Sequence, residues 1–226
     1  MSATIGYDEF VRMLRGAAGQ VQQNKEALSK LDSVGGDGDH GTTMARAMGN
    51  LEKTIAAAKS RDLKALLSGI GWAIMGVDGG ATGPLLGSLF MGMSEGVAGE
   101  PALDAAALAA VFEAGLASVQ KRTKARVGDK TMMDALVPAV AALRAAAAAG
   151  KDVAVALGEA AAAAQQGAET TKNFAAKFGR AKNLGDRTVG HPDPGATSMS
   201  LLFRGFAEAM TAGDGAVASR RALPHP

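Results

Sequence analysis

Phe10-Val11-Arg12-Met13-Leu14-Arg15-Gly16-Ala17-Ala18-Gly19-Gln20-Val21 sets the fold class. Its apolar residues Phe10, Met13, Leu14, Ala17 and Val21 fall at i, i+3, i+4, i+7 and i+11, which gathers them on one face of a helix. Met44, Ala47, Met48, Leu51 and Ile55 repeat the pattern. Further helices are expected at about 61–77, 83–97, 102–125, 130–149, 151–178 and 194–212, eight in all. No segment alternates β-branched or aromatic residues with polar ones, and aromatics make up only 4% of the chain, so a sheet has little to be built from. The Ala-rich tracts 105–110, 144–149 and 160–164 favour helix and let neighbouring backbones approach closely. The expectation is an all-α chain, one helical domain over 1–212 followed by a tail after Gly213.

Composition narrows the function classes. With 24 Lys+Arg against 22 Asp+Glu and no basic block, nothing resembles a nucleic-acid surface, even at a pI near 8.9. There is no cysteine, which excludes disulfides, thiolate metal sites and a cysteine nucleophile. The N-terminus lacks the basic and apolar regions of a signal peptide, and the longest uncharged stretch, Gly79 to Ser94, is too short and too broken to span a bilayer. A cytoplasmic protein is expected, with neither membrane nor nucleic acid among its partners.

Four Gly-dense loops, 32–42, 78–84, 127–131 and 185–197, carry Asp, Thr or His between the helices. In a bundle that runs alternately up and down, all four can meet at one end, and function is expected there. The first, Asp32-Ser33-Val34-Gly35-Gly36-Asp37-Gly38-Asp39, places three carboxylates within eight residues. Carboxylates that close repel one another unless a cation lies among them, and an all-oxygen ligand set selects Mg²⁺ or Ca²⁺. A solvated turn with Asp39 as a helix N-cap is the plain alternative. Gly36-x-Gly38-x-x-Gly41 matches a dinucleotide fingerprint only on paper, because it follows a helix and its acidic positions would repel a pyrophosphate. A P-loop is excluded by the missing lysine, and an EF-hand by Thr43 or Met48 standing where its glutamate belongs.

Together with Gly79-Gly80-Ala81-Thr82-Gly83-Pro84-Leu85, Gly128-Asp129-Lys130-Thr131-Met132-x-Asp134 and Gly190-His191-x-Asp193-Pro194-Gly195-Ala196-Thr197-Ser198, the aspartate loop resembles the nucleotide-binding L subunit of dihydroxyacetone kinase, in order and spacing, over about residues 7 to 212. The resemblance implies an eight-helix antiparallel barrel with the nucleotide and metal site in loops at one end. It implies that Asp32, Asp37 and Asp39 hold two Mg²⁺ ions bridging the phosphates of ADP or ATP, that His40, Gly41, Thr42 and Thr43 offer amides and hydroxyls to phosphate, and that Ala81 and Thr82 contact nucleotide. Met132 matches an adenine-pocket position, Thr123 stands where the family carries Gly, and Arg180 matches a phosphate-contacting, catalytic arginine. Asp193, Pro194 and Gly195 form the turn that closes over the nucleotide, and on their own merits they are a helix start, with an Asp cap and Pro at the first helical position.

The function expected from the resemblance is phosphoryl transfer to dihydroxyacetone held on a separate K subunit. The expected partners are that subunit, a phospho-histidine phosphoryl donor of the sugar-phosphotransferase type that recharges bound ADP, and a second copy of the chain. A short chain starting at its own Met favours a separate subunit of this type over the version that exchanges ATP. A kinase subunit for another ketose such as erythrulose, or a nucleotide-dependent regulatory module, would carry the same motifs. Fatty-acid-kinase relatives share the Asp-Gly-Asp loop but have Thr where His40 stands.

Overall fold

The computed structural model describes residues 4–211, so the expected tail beyond Gly213 lies outside the described residues. Nine α-helices follow one another: α1 (Tyr7–Gln23), α2 (Lys25–Asp32), α3 (His40–Ala57), α4 (Leu63–Met75), α5 (Thr82–Gly96), α6 (Ala105–Gln120), α7 (Met133–Ala148), α8 (Val153–Thr170) and α9 (Pro194–Thr211). Two 3-10 segments, Thr171–Asn173 and Arg180–Thr188, lie between α8 and α9. No strand occurs among the described residues; a single bridge pairs Ile5 with Leu103. Among the described residues, no helix is long and apolar enough to cross a membrane.

Eight long helices form a closed ring. Each packs on the next, α3 on α4 and so on to α8 on α9, and α1 closes the circle by packing on both α9 and α3. The eight-helix barrel expected from the sequence is thus present, with the short α2 added beside α3. At the closing seam a Cβ on Gly16 would come within 2.5 Å of the Gly205 carbonyl oxygen, so glycine permits this close approach of α1 and α9. Phe112 of α6 meets Phe203 and Phe206 of α9 with ring centroids 5.3 and 5.6 Å apart, and all three rings are buried. Such tilted and edge contacts contribute about 0.5–1.5 kcal/mol each beyond area burial.

Alternation of the ring divides its loops between two ends. At one end lie 58–62, 97–104 and 149–152, where Asp62, Asp104 and Asp152 cap α4, α6 and α8 by accepting from the amides of Ala65, Ala107 and Val155 at 3.0, 2.8 and 2.8 Å. At the other end lie the loop before α3, the α4–α5 and α6–α7 loops, and the long α8–α9 connection. There the N-cap residues of α3 and α5, Asp39 and Ala81, make no side-chain cap bond. The positive ends of those two helices are left to face the cleft that the loops enclose.

Three helix bounds depart from expectation, the first being the helix expected over 102–125, which runs only Ala105–Gln120. Residues 25–32 form α2 after a break at Asn24, so Asp32 sits on a helix end. The helix expected over 151–178 stops at Thr170, and the chain beyond it is held by long-range bonds described below.

Candidate nucleotide and metal site

Asp32, Asp37 and Asp39 converge: one carboxylate oxygen of each lies within 4.8 Å of the other two. A Cβ at Gly36 would stand 2.2 Å from Asp32 Oδ1, so a side chain there would collide with the cluster. Asp39 takes the N-cap position of α3 without capping it, and the His40 amide is instead accepted by Asp32 Oδ2 at 3.3 Å. The capping alternative for Asp39 therefore fails, and its carboxylate is available. Loss of solvation, then the charges of Asp37 and Asp32, raise the Asp39 pKa above the ordinary carboxylate value, against the opposing pull of Arg180. Three mutually repelling oxygen donors fit a hard divalent cation.

Arg180 stands beside the cluster, its Nη1 2.6 Å from Asp37 Oδ2. His40 faces it from the start of α3, with Nε2 3.0 Å from Ser198 Oγ and Nδ1 3.4 Å from Thr82 Oγ1. Burial lowers the His40 pKa, more than Asp32 and the Pro194 backbone raise it, which favours the neutral ring.

The cleft has two joined lobes. The more polar lobe is lined by Asp32, Gly36, Asp39 and Arg180; the more apolar lobe by Met44, Leu85, Thr123, Met132, Met199 and Gly195. His40, Ala81, Thr82, Lys130, Phe178 and Asp193 border both. Thr123 Oγ1 accepts the Ala125 amide at 3.1 Å, so its hydroxyl shapes the loop as well as lining the wall. Asp193 Oδ2 accepts the Ala196 amide at 2.7 Å and caps α9, with Pro194 at the first helical position. Burial pushes the Asp193 pKa up to about 7.

Three residues expected to meet phosphate stand apart from the lining. A Cβ on Gly41 would be 1.9 Å from the Lys25 carbonyl oxygen, so Gly41 lets α3 pass α2. Thr43 is buried and its hydroxyl donates to the Asp78 carbonyl at 3.4 Å, which anchors the α4–α5 loop. Thr42 is half-buried behind His40.

The α6–α7 loop is organised by two residues to which sequence reasoning gave no role. Asp134, buried, accepts the amides of Gly128 and Thr131 at 2.6 and 2.7 Å. The Lys130 ammonium reaches back to the carbonyls of Thr171 and His191. Both stood inside the Gly128-Asp129-Lys130-Thr131 motif, but local spacing does not reveal partners so far along the chain.

Residues 34–208 match the DAK2 domain. The chain belongs to this family. The ADP-binding subunit DhaL of PEP-dependent dihydroxyacetone kinase 1 from Listeria innocua is 40% identical to it over 200 residues, covering 88% of this chain and 95% of that protein. The corresponding ADP-binding subunit from Escherichia coli is 36% identical over 179 residues, 79% and 85% of the two chains. Among solved structures, the dihydroxyacetone kinase of C. freundii in complex with AMP-PNP and Mg²⁺ superposes with a TM-score of 0.68 at 27% identity. That match covers 88% of this chain and 33% of the C. freundii protein, so the DAK2 chain corresponds to about a third of that kinase.

Proposed function

We propose that this DAK2 chain is the ADP/ATP-binding subunit of a dihydroxyacetone kinase, acting in the cytoplasm on dihydroxyacetone presented by a separate K subunit. One observation carries the reading: the carboxylates of Asp32, Asp37 and Asp39, within 4.8 Å of one another, sit at the polar mouth of a cleft whose other lobe is apolar. A triphosphate tail and an adenine need those two environments side by side. The relatives named as ADP-binding subunits, covered almost end to end, support the same assignment.

Asp32, Asp37 and Asp39 would hold two Mg²⁺ ions, which when bound supply positive charge to the phosphate oxygens. Arg180 adds a fixed guanidinium at the same place, released from Asp37 as the carboxylate finds other cations. The positive end of α5 faces the phosphates, and neutral His40, held between Ser198 and Thr82, positions the α3 start without adding charge. Met132 and its apolar neighbours take the base. In the version with a bound ADP coenzyme, a phospho-histidine protein restores the terminal phosphate.

A second reading, phosphorylation of another ketose, is favoured by L-erythrulose 1-kinase of Mycolicibacterium smegmatis, 34% identical over 192 residues, of which this chain spans 33%. The test is the purified chain with Mg²⁺, a phosphoryl donor and either ketone, with and without a K subunit. Ketone phosphate is expected only when both proteins are present, and its appearance with this chain alone overturns the assignment.

A further inference from the structure

We infer that Lys130 is a positioning residue for the nucleotide cleft: its buried ammonium locks the turn 190–193 to the end of α8 and so sets the affinity for Mg·ADP. The inference rests on the nucleotide reading of the cleft.

Lys130 is the only non-glycine with a positive φ among the described residues, at 61°. That conformation costs an L-residue free energy, and it persists where the surroundings over-determine it. Gly128, two residues earlier, adopts φ 92° at no such cost, so the loop has glycine where only conformation matters. At position 130 the side chain is what is retained.

That side chain is buried, the residue being 5% exposed. Its Nζ donates to the Thr171 carbonyl at 2.7 Å and to the His191 carbonyl at 2.5 Å. Loss of water around the ammonium lowers the Lys130 pKa, more than the charges of Asp193 and Asp134 raise it, and its close partners are the two backbone carbonyls. Two more bonds join the turn directly to the end of α8. The Asp193 amide donates to Thr171 Oγ1 at 2.8 Å, and the Gly190 amide donates to the Lys172 carbonyl at 2.8 Å. Asp193 in turn caps α9, whose first residues, Pro194 and Gly195, line the cleft.

Without the ammonium, the His191 carbonyl loses its donor, the Thr171 carbonyl keeps only the Phe174 amide, and the turn stays tied to the end of α8 by its amide bonds to Thr171 and Lys172. None of these bonds involves Asp32, Asp37 or Asp39, so metal binding is separable from the node.

The experiment compares wild type, Lys130→Met, Lys130→Gly and Thr171→Val in the full chain. Mg·ADP binding is measured by calorimetry, Mn²⁺ binding by electron paramagnetic resonance, and steady-state kinetics with a K subunit. All three variants should weaken Mg·ADP binding, the lysine variants about tenfold or more, equal to about 1.4 kcal/mol. Their nucleotide KM should rise in step, while kcat at saturation and the Mn²⁺ affinity stay within about twofold, as loss of uniform binding requires. Lys130→Gly also removes the backbone strain, so a purely conformational role predicts unchanged or tighter nucleotide binding in that variant, and that result overturns the inference. Parallel loss of Mn²⁺ and Mg·ADP binding, or kcat falling with KM unchanged, does the same. If Lys130→Met fails to fold, Thr171→Val still decides, since wild-type affinity in it leaves the turn without a role. A wild-type chain that binds no Mg·ADP overturns the nucleotide reading as well, whereas wild-type binding with unaltered variants overturns this inference alone.

Discussion

Arg180 and Asp37 join the segment Arg180–Thr188 to the aspartate loop across 2.6 Å, although the two side chains keep 62% and 43% of their exposure. A pair that open to solvent contributes at most about 1 kcal/mol to stability. Arg180→Ala should therefore unfold within about 1 kcal/mol of wild type in urea. Phosphoryl transfer with a K subunit should nevertheless fall by about a hundredfold or more, because a charge aimed at developing phosphate charge is lost. An Arg180→Ala protein with wild-type turnover would remove Arg180 from the site.

Asp37→Asn and Asp39→Asn should separate binding from folding. Each relieves repulsion inside the cluster, so the metal-free melting temperature should stay level or rise. Wild type should gain roughly 2.7 kcal/mol from Mg·ADP at about 100 times its Kd, and the variants nothing comparable. Scanning calorimetry with and without a chelator reads both effects, and an equal Mg·ADP gain in Asp39→Asn would falsify the ligand assignment.

Asp134→Ala should be the most damaging single change in the α6–α7 loop. It leaves the half-buried amides of Gly128 and Thr131 without their acceptor, at a cost of about 1–3 kcal/mol. Asp134→Asn keeps one carbonyl oxygen and should lose less. Urea midpoints at constant m test the order, and equal midpoints for the two variants would refute it.

Asp193 makes stability depend on pH with a definite sign. Its folded-state pKa, about 7, lies above the ordinary value of 3.8, so the folded chain binds the extra proton between those values. Stability from this group is present at low pH and declines as pH rises from about 4 to about 7. Asp193→Asn retains a capping side chain without the titration. Relative to wild type, its unfolding free energy should improve by roughly 1 kcal/mol or more between pH 5 and pH 8. Denaturation at the two pH values measures the difference, and a constant gap would show that the carboxylate is ionised throughout.

Local order was legible in the sequence. The apolar faces of α1 and α3 follow from residue spacing and the start of α9 from the Asp193-Pro194 cap, and the carboxylate triad was visible because its members lie within eight residues. Both are short-range properties, set by backbone geometry and by charges that cannot avoid one another. The family resemblance added the nucleotide to that triad.

Closure of the ring decided the rest. It brings Arg180 to Asp37 and His40 to Ser198, 158 residues apart in sequence. It also sets Gly41 against the Lys25 carbonyl of α2 and ties the Thr43 hydroxyl to the Asp78 carbonyl, contacts that no local spacing reveals. Just beyond the end of α8 at Thr170, the Thr171 carbonyl is taken by Lys130, 41 residues earlier, and its hydroxyl by Asp193, 22 residues later. Periodicity along a chain reports which face of a helix is apolar, whereas a buried ammonium or a shared hydroxyl is stabilised by whatever the fold brings alongside it, and that pairing exists only once the helices have packed.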